Sequence, residues 1–156
     1  MKTIVQRVKK ASVTVEGKIV SEIGAGLLCL AGFKKDDTLQ DIEYTLHKLI
    51  GLRIFDDKSG KMNIDVSSTK GEILIVPNFT VYASCIRGNR PDFNAAANSE
   101  TGRKLFGELK ISAEKYSGII FKFGIFQASM EIELTNDGPV TVIIESSDKI
   151  KNCNRA

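Results

Sequence analysis

His47 is the only histidine in the 156-residue chain, so any Ser-His-Asp or Cys-His machinery would have to run through it. It sits where Leu39, Ile42, Leu46, Leu49 and Ile50 recur at helical spacing, up to about Leu52. It falls off that apolar stripe and reads as a solvated helix position. The histidine count excludes a histidine-rich metal site, and no grouping of carboxylates and cysteines has metal-ligand spacing. Cys29, Cys85 and Cys153 form no C-x-x-C pair, which argues against a disulfide framework or a zinc site and suits a reducing cytoplasm. A nucleophilic Cys85 would need an activating base; with only His47 available, it reads as a bystander. Gly24-Ala25-Gly26 lacks the second half of a dinucleotide fingerprint, and no phosphate loop is present. Two segments stand out instead. VPNFTVYAS (76–84) runs from a strand through proline into small polar residues. NDGPVT (136–141) is rich in turn residues and reads as a hairpin turn between two patterned strands. Its Gly-Pro peptide also has a low-cost cis form that would aim backbone carbonyls unusually.

The elements that must position these segments are mostly strands. TIVQRV (3–8) and SVTV (12–15) are β-branched, KIVSEI (18–23) follows a turn at Glu16-Gly17, and LLCLAGF (27–33) reads as a buried strand. EILIV (72–76) is another strand, stopped or set at an edge by Pro77, with FTVY (79–82) resuming the extended chain. IIFKFG (119–124), SMEIEL (129–134) and VTVIIES (140–146) complete the set. Asp36-Asp37-Thr38 can cap the first helix, and Asn98-Ser99-Glu100 can begin a second. Phe106, Leu109, Ala113 and Tyr116 share one face of that second helix, and IRGNRPDFN (86–94) is loop-like. The expectation is an α+β domain, an antiparallel or mixed sheet or partial barrel with two main helices, over 1–146, with a polar tail over 147–156. Hydrophobic residues make up 42% and charged residues 26%, as in ordinary globular proteins, which excludes a disordered chain or a fibre. No apolar run approaches the roughly 20 residues that span a bilayer, and MKTIVQRVKK does not read as a signal peptide. A net charge of +3 permits a nucleic-acid partner without demanding one.

The start MKTIVQRVKKASVTVEGKIVSEIGAGLLCLAG, LRIFDDKSGKMN (52–63), GNRPDF (88–93) and TNDGPVTVIIES (135–146) together resemble the D-aminoacyl-tRNA deacylases, in family order from Met1 to about Ser146. The resemblance implies a cytoplasmic homodimer of β-rich subunits that hydrolyses the ester linking a D-amino acid, or glycine, to the terminal adenosine of tRNA, as chiral proofreading. It implies no cofactor and no metal. In the family, a Ser-Gln-Phe-Thr motif supplies an oxyanion pocket through backbone N–H groups. A Gly-cis-Pro pair from the partner subunit crowds out an L side chain, and an arginine near the N-terminus braces it. Carried over, Gly138 and Pro139 match the second motif, Phe79 and Thr80 the end of the first, and Arg7 the brace. The implied catalytic residues are Phe79, Thr80 and Asn78, with Pro77, Phe126, Met130, Arg7, Gly138 and Pro139 binding substrate. Two departures are evident: Pro77-Asn78 stands where the family has Ser-Gln, and Gln127 stands where Gly-x-Phe-Gly-Ala-x-Met has its second glycine. A related group of tRNA deacylases with a different substrate also carries that proline. Glycyl- or L-alanyl-tRNA, or a tRNA-binding homologue without catalysis, are therefore the alternatives. Arg87, Arg90, Lys9, Lys10 and Lys104 are candidate RNA contacts, or simply solvated surface.

Overall fold

In a computed structural model, which describes residues 1–148, the elements run β1 (Lys2–Val15), β2 (Lys18–Ile23), β3 (Gly26–Gly32), α1 (Leu39–Ile50), β4 (Phe55–Asp56), β5 (Met62–Ile64), β6 (Glu72–Pro77), a short 3-10 helix (Phe79–Tyr82), α2 (Ser99–Ala113), β7 (Ile120–Phe123) and β8 (Glu131–Glu145). Most of the expected polar tail lies outside the described residues. The sheet is mixed. β1 pairs antiparallel with β2, β3 and β8, while β6 pairs parallel with β3, and β7 with β6. A charged clasp curls it into a nearly closed barrel. Lys122 Nζ on β7 donates to the Glu22 carbonyl on β2 at 2.6 Å and meets Glu72 Oε1 on β6 at 3.0 Å. The other Glu72 oxygen accepts from Gly24 N–H at 2.9 Å.

Strand parity divides the core in two. Leu27, Cys29, Ile73 and Ile75 face the helices, where Ile42, Leu46, Leu49, Leu105, Phe106 and Leu109 cover them. Leu28, Leu74 and Val76 point the other way, into a cluster with Val8, Ala11, Val13 and Ile23. β3 and β6 are buried on both faces, which is why LLCLAG and EILIV are continuous apolar runs rather than alternating ones. Asn98 caps α2 as its sequence suggests, its side chain accepting from Thr101 N–H at 2.8 Å. Leu39 is 44% exposed and stands outside the buried stripe of α1. His47 is exposed. α2 ends at Ala113, so Tyr116 lies beyond it, although it still packs on the same core.

Three sequence expectations are corrected. TIVQRV and SVTV are one strand, because β8 pairs along both halves. The exposed Lys9-Lys10 step marks register shifts and not a break. NDGP is not a hairpin: both arms of β8 run in one direction along β1, with Asn136 opposite Val8 and Thr141 opposite Gln6. Residues 137–140 therefore bulge out opposite a single residue, Arg7. FTVY does not resume an extended strand; it winds into the 3-10 helix.

Candidate active site

β6 delivers VPNFT to the end of the barrel. Asn78 N–H donates to the Ala31 carbonyl at 2.8 Å, so the alternation of the strand turns the Pro77 nitrogen toward β7, whose pairing has already ended at Phe123. The missing proline donor costs no ladder hydrogen bond there. Asn78 then caps the 3-10 helix: its Oδ1 accepts from Thr80 N–H at 3.0 Å and from the Thr80 hydroxyl at 2.6 Å. A backbone N–H requires an acceptor, so these bonds fix which end of the Asn78 amide is oxygen. They leave Nδ2 as a donor with no partner among the described residues. Phe79 N–H, at the start of the 3-10 helix, is likewise free of a backbone acceptor there. Gly32 admits this close approach, since a Cβ on it would meet Val81 Cγ2 at 2.3 Å and the Asn78 carbonyl at 2.9 Å.

A cavity of about 880 Å³ opens beside this turn. Pro77, Asn78, Phe79, Phe126 and Met130 all line it, together with Phe93, Gly102 and Gln127. Phe93 reaches the site because Ser84 and Asp92 exchange two backbone hydrogen bonds of 2.8 Å, closing the 84–92 loop. Its ring meets Phe79 edge-on at 5.1 Å. Every residue lining the cavity is uncharged. Among the described residues, no group of three histidine, cysteine or acidic side chains could hold a metal ion.

Arg7, Gly138 and Pro139 form a second group, and none of them lines the cavity of its own chain. The Gly138-Pro139 peptide is cis, with Gly138 at φ +138°, and both residues are exposed. Arg7 is buried opposite the bulge. Its Nε donates to the Asp137 carbonyl at 3.0 Å and its Nη1 to the Ile54 carbonyl at 2.5 Å. The carboxylates of Asp56 and Asp137 each lie 3.3 Å from the guanidinium. The bulge and the RIFD segment are thus tied to one cation. Asn136 Oδ1 closes the bulge by accepting from Val140 N–H at 3.0 Å.

The family model for D-Tyr-tRNA(Tyr) deacylase matches residues 4–145. The chain belongs to that family. The D-aminoacyl-tRNA deacylase of Carboxydothermus hydrogenoformans is 49% identical over 93% of this chain and 99% of its own. That of Desulfitobacterium hafniense is 48% identical over 94% and 97%. Among solved structures, the c-Myc DNA unwinding element binding protein has a TM-score of 0.87 at 38% identity, over 93% of this chain and 98% of that one. A probable eukaryotic D-amino acid tRNA deacylase shares the fold at a TM-score of 0.77 and 16% identity, over 92% and 98%.

Arg87, Arg90, Lys9, Lys10 and Lys104 are all exposed and none lines the cavity. Lys9 lies 3.9 Å from Asp137, and Lys104 lies 3.9 Å from Glu108. The sequence reading missed Arg103. Its guanidinium lies over the Phe126 ring, 5.2 Å from the centroid, and its Nη2 donates to Gln127 Oε1. Gln127 takes φ +63°, a backbone conformation that favours glycine, where the family pattern has one. Of the two described cysteines, Cys29 is buried and Cys85 exposed; burial pushes the Cys29 thiol far above its usual range.

Proposed function

We propose that this chain hydrolyses D-aminoacyl-tRNA, and glycyl-tRNA by the same route, to free amino acid and tRNA, acting in the cytoplasm where that substrate is found. The observation that carries the reading is the Asn78 amide. Thr80 holds its oxygen twice, its Nδ2 has no partner among the described residues, and Asn78 and its neighbour Phe79 both line an uncharged cavity. Unpaired donors held by the fold are what an ester's carbonyl oxygen needs as it becomes an oxyanion, and we assign that task to Asn78 Nδ2 and Phe79 N–H.

In this scheme a water oxygen attacks the ester carbon. The carbonyl electron pair moves onto oxygen, between Phe79 N–H and Asn78 Nδ2. The tetrahedral intermediate then collapses, the bond to the ribose oxygen breaks, and that oxygen takes up the proton released by the water. In this scheme the Asn78 side chain supplies a donor at the position where the family has glutamine, and Thr80 positions it. Pro77, Phe126 and Met130 wall the amino-acid and nucleoside space.

Handedness would be set by the second group. Exposed Gly138 and Pro139 carbonyls, braced by Arg7, would enter the cavity of a second copy and clash with an L side chain, while a D side chain or glycine escapes them. The exposure of Phe79 at 57% and of Ile143 at 63% supports a surface that another copy covers. The test is incubation with D-Tyr-tRNA and L-Tyr-tRNA. Release of D-tyrosine with L-Tyr-tRNA spared is expected; equal cleavage, or none, refutes the reading.

A further inference from the structure

The lining of the cavity carries no charge, yet every aminoacyl-tRNA presents a phosphodiester one ribose away from its ester. A cation at the rim is therefore the missing piece, and Arg103 on α2 occupies that position. It flanks Gly102 in sequence and touches two residues of the cavity wall, Phe126 and Gln127. The side chain is exposed and has no carboxylate partner among the described residues. One Nη is engaged by Gln127, which leaves several of the five guanidinium N–H groups free. The ring beneath and the amide beside it hold the planar group in place, so a ligand anion would cost little ordering of the side chain. Gln127 also gains an explanation. It accepts a left-handed backbone that glycine would take more easily, and it uses its side-chain oxygen to hold Arg103.

We infer that Arg103, clamped by Phe126 and Gln127, binds the 5′-phosphate of the terminal nucleotide whose ester enters the cavity. This rests on the deacylase reading, and the chemistry invoked is a bidentate guanidinium–phosphate contact at the cavity mouth.

The test uses a non-hydrolysable substrate, 3′-amino-3′-deoxyadenosine carrying D-tyrosine in amide linkage, made with and without a 5′-phosphate. Calorimetry on the full chain gives the affinity ratio between the two compounds. The ratio is expected to be roughly tenfold in favour of the phosphorylated compound, as one exposed charge-assisted contact supplies, and to shrink as salt rises. In Arg103→Gln it falls to near one. In Arg103→Lys it is intermediate, because an ammonium keeps the charge but loses the fork. In Gln127→Gly it drops part-way. A ratio near one in the unmodified protein, or a ratio that survives in Arg103→Gln, overturns the inference while leaving the deacylase reading intact. Failure of both compounds to bind, together with no cleavage of D-Tyr-tRNA, removes the reading and the inference with it.

Discussion

Asn78→Asp separates the two tasks proposed for Asn78, capping the 3-10 helix and donating to the oxyanion. A carboxylate is the same size as the carboxamide and accepts hydrogen bonds as well, so both bonds from Thr80, at 3.0 and 2.6 Å, survive. Asp caps a helix about as well as Asn does. What disappears is the Nδ2 donor, replaced by an oxygen bearing negative charge where an oxyanion must form. Loss of one such donor costs about 10²–10³ in rate, roughly 2.7–4 kcal/mol. Asn78→Ala loses the cap as well as the donor, and a lost cap costs about 1 kcal/mol. For a domain of this size that lowers the melting temperature by roughly 2–4 °C. The expected pattern is a rate at least about 100-fold down in both variants, with a lowered melting temperature in the alanine variant only. The rate is read as single-turnover deacylation of D-Tyr-tRNA, so product release cannot mask chemistry, and stability is read by thermal unfolding. An Asn78→Asp protein that deacylates within about fivefold of the unsubstituted protein would show that Nδ2 is not a donor to the oxyanion. An aspartate variant that melts as low as the alanine variant would show that the Thr80 bonds do not hold the turn.

Arg7→Ala removes two hydrogen bonds to carbonyls and the cation shared by two carboxylates. Both carboxylates are partly exposed, so the expected loss is about 1–3 kcal/mol, seen in thermal unfolding, with a fall in discrimination between D- and L-Tyr-tRNA; unaltered discrimination counts against the brace. Gly138→Ala places a Cβ 2.6 Å from Val140 Cγ2 at a φ of +138°. The exposed bulge should distort without unfolding the core, so deacylation should fall while the far-ultraviolet circular dichroism spectrum stays as it was. The Glu72 carboxyl is held below its ordinary range, first by Gly24 N–H and also by Lys122. A lowered pKa in the folded state means stability that is full above the ordinary glutamate value of about 4.3 and is lost as pH falls below it. Acid unfolding monitored by circular dichroism should therefore begin at higher pH in the unsubstituted protein than in Glu72→Gln relative to each protein's neutral stability, because the variant lacks this titration. Cys85→Ser should deacylate at a rate within about twofold of the unsubstituted protein, since the proposed route uses no thiol; a large loss would restore the thiol as a candidate.

Short-range pattern made much of this molecule legible. β-Branched runs located the strands, the cap at Asn98 located α2, and two buried faces explain the unbroken apolar runs of β3 and β6. Much of what stayed hidden depends on neighbours far along the chain, though one element turned on the residue just before it. NDGP has the composition of a hairpin, but a turn forms only if the following strand reverses, and the β1 ladder holds both arms in one direction. FTVY has the residues of a strand; the preceding Asn78 side chain satisfies the N–H of Thr80 and stabilises a helical turn instead. An Asn two residues before a Thr was the available signal. Arg103 reads as one of several surface cations on an amphipathic helix. Only the fold sets it on Phe126 and Gln127, over twenty positions away.

The two departures from the family pattern have different physical standing. Pro77 is tolerated because the nitrogen it blocks faces the side where the ladder has stopped, so the change removes a hydroxyl and little else. Asn78 is shorter than glutamine by one methylene, and a shorter amide reaches less far into a cavity. The 3-10 helix compensates by orienting it: with the oxygen bound twice, the donor has one direction in which to point. A reach deficit is thereby exchanged for a fixed orientation, and a fixed donor loses less entropy when charge develops on the substrate. On the proposed route Thr80, and not Asn78 alone, would set the rate. The hydroxyl of Thr80 supplies the shorter of the two bonds, so the variant that keeps the backbone N–H but removes that hydroxyl, Thr80→Val, should retain the fold and lose an intermediate share of the activity.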